Sequence, residues 1–113
     1  MTVENSSRIL RTVPREKAFY FFTSLGNYTG LSAISLKEFA DRINEVNVKS
    51  LEFHLGRGDL EKWTAEVLED QWLAGEIKRI QRSGLMGEAL RNQLSLTVSR
   101  RVKRLMNPGS FRF

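Results

Sequence analysis

A mainly α fold is what this chain predicts: one small domain of four to five helices, opened by a short N-terminal β-hairpin and closed by a long basic helix. Three observations carry the prediction. Apolar residues recur at helical spacing in successive stretches between Leu36 and Leu105. Ahead of them stands a single aromatic cluster, Ala18 to Phe22, with a turn-rich segment behind it. The length, 113 residues, suffices for one core and not for two. With no internal repeat and no low-complexity linker, residues 1–113 read as one domain, with a polar N-terminal tail over 1–13 and a C-terminal tail over 107–113.

Residues up to about Thr12 are polar and mixed, and Pro14 precedes the cluster Ala18, Phe19, Tyr20, Phe21, Phe22. Five contiguous apolar residues fit a buried strand or a turn of buried helix, and periodicity does not separate the two. Aromatic content favours a strand, as does Gly26-Asn27-Tyr28-Thr29-Gly30, with turn formers at both ends; Leu31 to Ile34 would return beside it. Ser35-Leu36-Lys37-Glu38 reads as a capping box, in which Ser and Glu satisfy each other's backbone donors at the start of a helix. Leu36, Phe39, Ala40, Ile43 and Val46 then form one buried stripe. Asn47 caps a second short helix with Val48, Leu51 and Leu55 inward, ending where Gly56 and Gly58 release the backbone.

Asp59 is expected to cap the third helix, whose stripe is Leu60, Trp63, Val67 and Leu68. After a bend near Glu69-Asp70, Leu73, Ile77 and Ile80 line a fourth, stopped by Ser83-Gly84. The longest helix runs from Gly87 to about Met106. Its apolar residues Leu90, Leu94, Val98, Val102 and Leu105 fall within an arc of about 120°, with Arg100, Lys103 and Arg104 opposite and Arg101 at the apolar border. Asn107-Pro108-Gly109 ends it.

Composition bounds the function classes. At 41% hydrophobic and 27% charged, the chain reads as an ordinary soluble protein. Its longest apolar run is too short to span a bilayer, and Met1 to Ser7 lacks the apolar segment of a signal peptide, so a cytoplasmic protein with no membrane association is expected. The absence of cysteine excludes disulfides and thiolate metal sites and fits a reducing or hot interior. Charge is split unevenly. From Ile77 to Phe113 nine basic residues face one acid, Glu88, a formal +8, whereas the first 76 residues carry −3. Such a division favours a polyanion or an acidic partner for the C-terminal part.

Catalytic candidates are few. His54 is the one histidine; beside the Leu51 and Leu55 stripe, its commoner role is that of a structural residue hydrogen-bonded at a helix end. Glu66, Glu69 and Asp70 cluster near a helix junction where a cation or an acid/base pair is imaginable, but they lack calcium-loop spacing and read better as a solvated acidic helix end. Gly56-Arg57-Gly58-Asp59 lacks the Lys-Ser/Thr of a phosphate-binding loop. Its Arg57-Gly58-Asp59 tripeptide, known from adhesion proteins, has sufficient structural work in a turn, a cap and an ion pair. No cofactor, no metal and no enzymatic activity are expected.

The candidate binding set is basic: Lys78, Arg79, Arg82, Arg91, Arg100, Arg101, Lys103 and Arg104. A solubilising surface would also be basic at a helix C-terminus. Arginine outnumbers lysine here, however, and its fork grips phosphate or carboxylate bidentately; compensating acids are nearly absent. Among the aromatics, Trp63 lies on an inward stripe, while Trp72 flanks one and is expected half exposed, where it can serve a partner. Phe111 and Phe113 tip the terminal segment. They either fold back on the core or dock in a partner's groove.

One resemblance covers Phe19 to Ile80. The aromatic cluster before Gly26, Ser35-Leu36 with Glu38-Phe39, Ser50-Leu51-Glu52-Phe53-His54-Leu55, Arg57-Gly58-Asp59-Leu60 with Trp63, and Leu73-Ala74 occur in the order seen in a small family of uncharacterised archaeal proteins, a domain-of-unknown-function group, which this stretch resembles. At Leu60 that family's pattern has Phe, and at Thr64 an aliphatic residue. The resemblance implies a small, mainly helical unit opening with a hairpin and supplies no activity; the basic final helix lies outside it.

The expected function is therefore that of a non-enzymatic accessory protein that binds nucleic acid, DNA or RNA, or a nucleoprotein machine, without reading sequence, neutralising about four to six phosphates. The alternative is a protein-interaction subunit whose long helix and Phe-tipped tail dock on an acidic surface of a larger enzyme, with Trp72, Phe111 and Phe113 as anchors. The oligomeric state is left open by the sequence.

Overall fold

Each stretch of helical apolar spacing forms a helix in the computed structural model, which describes residues 5–107. The tail from Pro108, with Phe111 and Phe113, lies outside the described residues. Helix α1 spans Ser6–Ile9 and is followed by a single 3-10 turn at Arg15–Lys17. Strands β1 (Phe19–Ser24) and β2 (Asn27–Ala33) form an antiparallel hairpin. Then come α2 (Leu36–Ile43), α3 (Val48–Arg57), α4 (Asp59–Glu66), α5 (Gln71–Ser83) and α6 (Gly87–Met106).

The hairpin is tighter than its sequence suggests. Its turn is Leu25-Gly26 alone, with Gly26 at φ +82°, and Asn27 to Thr29 are already strand. The glycine predicted to close the turn, Gly30, sits instead where pairing slips from Tyr20↔Ser32 to Phe22↔Tyr28. This bulge is stabilised by Thr29 Oγ1, which donates to Phe21 O and accepts from Leu31 N. Alternation then sorts the aromatics. Phe19 and Phe21 face inward against Phe39, His54 and Trp63, while Tyr20 and Tyr28 remain exposed. Two fully or nearly buried phenylalanines contribute about 1.5–3 kcal/mol each.

Helix ends follow local chemistry. Ser35 Oγ accepts from Glu38 N, but Glu38 Oε1 reaches back one residue further than the ideal box, to Ile34 N, tying the helix start to the end of β2. Asn47 caps α3 through Lys49 N, and Gly58 ends α3 at φ +79°. Asp59 is not the cap of α4. Gly58 occupies that position, which frees the Asp59 carboxylate for His54 and Arg57.

The core runs the length of α6, which packs on α2, α3 and α5; Leu90, Leu94, Val98, Val102 and Leu105 are all buried. Segment 5–13, expected as a polar tail, instead contributes Ile9 and Val13 to that core. Arg11 holds it there by donating to Val67 O at 2.7 Å, and Arg8 donates to Glu69 at 2.8 Å. Other helix ends are satisfied by side chains remote in sequence: Arg91 Nη1 donates to Ile43 O and Val46 O, both at 2.8 Å, and Glu52 accepts from Gly87 N at 2.7 Å. No helix among the described residues is long and apolar enough to cross a membrane.

Candidate functional site

Two polar clusters stand out from this framework, and they differ in what they leave unsatisfied. The first surrounds His54, on the last turn of α3 and only 5% exposed. Its Nε2 lies 2.8 Å from Phe22 N, and its Nδ1 2.8 Å from Asp59 Oδ2. The Phe22 N–H can only donate, so Nε2 must be the acceptor and the proton sits on Nδ1, donated to Asp59. Burial pushes the imidazole below its ordinary pKa, outweighing the Asp59 hydrogen bond and charge, which raise it; the Arg57 charge lowers it slightly more. Asp59 also accepts from Arg57 Nε at 3.0 Å. Both ring nitrogens are thus engaged in joining the hairpin to α3 and α4. An aromatic cleft of about 430 Å³ opens above this junction, lined by Tyr20, Phe22, Leu25 and Phe53 among others.

The second cluster lies where the start of α5 meets the last turns of α6. Asp70 is 1% exposed and caps α5 by accepting from Leu73 N at 3.0 Å. Both its oxygens also bind Arg101, Nε at 2.8 Å and Nη2 at 2.9 Å, in a bidentate pair sealed from solvent. The acid expected at a solvated helix end is therefore the buried anchor of α6. Among the described residues, no group of three or more acids and histidines could hold a metal. Glu69 is drawn instead to Arg8, whose hydrogen bond holds its carboxyl below the usual range.

Trp72 rises beside this pair, 44% exposed as its position at the edge of a stripe suggested. The Arg101 guanidinium lies over the indole at 4.9 Å from the ring centroid and that of Arg104 at 4.6 Å, within cation–π range. Arg100 and Lys103 complete an open cleft of about 470 Å³. Arg100 and Lys103 are exposed and Arg104 is half-buried against Trp72; none of the three has an acidic partner among the described residues.

Of the eight basic residues singled out, the structure gathers Arg100, Arg101, Lys103 and Arg104 and separates the rest. Two need correction as ligand-facing groups. Arg101 falls three residues after Val98 and four before Leu105, on the apolar stripe, and its charge is offset by Asp70 inside the core. Arg91 turns inward to the carbonyls ending α2 and pairs with Glu88 at 2.8 Å. Lys78 and Arg79 are exposed but lie near acids on different sides of α5: Glu61 of α4 at 4.0 Å and Glu76 of the same helix at 3.7 Å. Arg82 is exposed near the far end of α5. Asp70 was the site residue that composition hid; an acid before α5 and an arginine on an apolar stripe were the available signals.

The chain matches no family model, no curated protein and no solved structure.

Proposed function

We propose that this protein is a non-enzymatic accessory component that binds nucleic acid without sequence specificity, through the phosphate groups, at the end of α6. The observation that carries the reading is the set Arg100, Lys103 and Arg104, three cations on one face of one helical turn, unopposed by any acid among the described residues and grouped around an exposed tryptophan. Arg100 and Lys103 are exposed to solvent, Arg104 lies half-buried on the indole, and release of counterions from phosphate is the driving force for such contacts. Arg79 and Arg82 extend positive charge along α5 at longer range. With Arg91 and Arg101 committed to the fold, the number of phosphates neutralised falls to about three, below what the bare sequence suggested.

Fluorescence anisotropy of a labelled mixed-sequence oligonucleotide, titrated with the full chain at increasing salt, tests this. The expected log–log slope is about −2 to −3, and replacing Arg100, Lys103 and Arg104 together by alanine should remove most of the binding. Affinity that stays flat with salt, or survives the triple replacement, contradicts the reading. Capture of an acidic protein surface in preference to the oligonucleotide would favour a docking subunit with Trp72 as anchor.

A further inference from the structure

Resting on that reading, we infer that the α5–α6 cleft selects single-stranded nucleic acid, one base stacking on the Trp72 and Arg104 ledge while Arg100 and Lys103 hold the adjoining phosphates. Three features of the cleft point this way. First, the aromatic surface is fixed in advance. Asp70 clamps Arg101 with two hydrogen bonds at 2.8 and 2.9 Å, and Arg101 in turn lies over the indole, so Trp72 is held while remaining 44% exposed. A held ring loses little freedom when a ligand stacks on it.

Second, the positive charge is compact. Residues 92–99 of α6 contain no charged side chain, and Arg91 is turned away into the end of α2. Arg100 to Arg104 rises only about 6 Å along the helix, enough for one or two successive phosphates of one strand. A duplex presents its two backbones across a major groove of roughly 12 Å and keeps its bases stacked inside, so it could use these cations but not the indole. Third, the chemistry of the lining is mixed in the way a nucleotide is mixed: an aromatic face with a guanidinium over it, edged by cations, and lined by no acid among the described residues. Stacking on such a face tolerates any base, which agrees with binding that ignores sequence.

The test uses the full chain at one low salt concentration against three probes: a 12-nucleotide single strand of mixed sequence, its duplex, and an abasic strand of the same backbone. Tryptophan fluorescence is the readout. Trp63 is 6% exposed with its Nε1 donating to Lys17 O, so quenching by a stacked base reports Trp72. The expected result is tight binding and quenching with the single strand, and affinities about tenfold or more weaker for the duplex and the abasic strand. Trp72→Leu should lower single-strand affinity to near the abasic value, followed by anisotropy of a label, while Trp72→Phe, which keeps an aromatic face, should retain most of it. Equal affinity for all three probes, or an unaltered Trp72→Leu, overturns the stacking inference and leaves phosphate binding standing. Failure to bind any of the three overturns both.

Discussion

The two polar junctions of this molecule use similar residue types to opposite ends. At the hairpin, His54 and Arg57 both donate to Asp59 Oδ2, and the imidazole accepts from the backbone of β1 on its other side. At the α5–α6 end, Asp70 binds one arginine bidentately and no acid among the described residues remains for Arg100, Lys103 or Arg104. The first junction has the makings of a fastener. The second combines a fastener, Asp70 with Arg101, and a surplus of cations directly above it. Charge alone does not mark a binding surface; what marks it is charge left over after the fold has taken its share.

Breaking the buried pair should produce the largest effect. Asp70→Ala removes the carboxylate paired with buried Arg101 and also the α5 cap, and is expected to cost about 3–5 kcal/mol in urea unfolding. The double replacement Asp70→Ala with Arg101→Met should recover a substantial part of that loss, since the buried charge goes with its partner. An Asp70→Ala protein as stable as the parent would show that the pair is not desolvated as described.

The hairpin junction should respond next, and with a pH signature set by His54. The folded-state pKa of His54 lies below its ordinary value of 6.5, so between the two the unfolded chain binds a proton that the folded protein does not. Stability from this group is therefore complete above about pH 6.5 and is lost as pH falls toward the folded pKa. His54→Phe should lower stability by about 1–3 kcal/mol at neutral pH, because the Phe22 N–H is left without its acceptor, and should flatten the dependence just below pH 6.5. Denaturant midpoints across that range check both. A parent midpoint that rises on acidification would contradict the neutral, Nδ1-protonated ring.

A smaller change sharpens the geometry between α3 and α4. Gly58 holds φ +79°, and although no atom stands within 4 Å of where a Cβ would lie, an L side chain there is strained by its own backbone. Gly58→Ala is expected to cost about 1 kcal/mol, with nucleic-acid affinity unchanged. A loss of binding on this substitution would mean that the two ends of the molecule are coupled.

Much of the fold was legible in the sequence because its signals are local. Ser35, Asn47 and Gly84 stand at helix boundaries where side-chain or left-handed backbone chemistry fixes them, and the five apolar residues read as the α6 stripe are all buried, with Arg101 buried among them. What escaped depends on partners distant in the chain. Helix α1 has four residues, too few for a period, and is held by Arg8 and Arg11 reaching residues 61 and 56 positions away. Arg101 and Arg91 counted as surface charge until Asp70, Ile43 and Val46 were placed beside them. Asp59 looked like a cap because caps are usually read from residue type, whereas Gly58 in the left-handed region had already taken the position. The candidate site was legible as a basic segment with Trp72 nearby; its compactness was not, since that follows from which cations turn inward.

The most direct measurement is a two-dimensional NMR titration of the full chain with a 12-nucleotide single strand, following backbone amides and the two indole N–H signals. Shifts confined to Trp72 and Arg100 to Arg104, with the Trp63 indole and the hairpin unmoved, are the predicted result. Shifts centred on Phe22, Phe53 and His54, or none near Trp72 at saturating ligand, would contradict it.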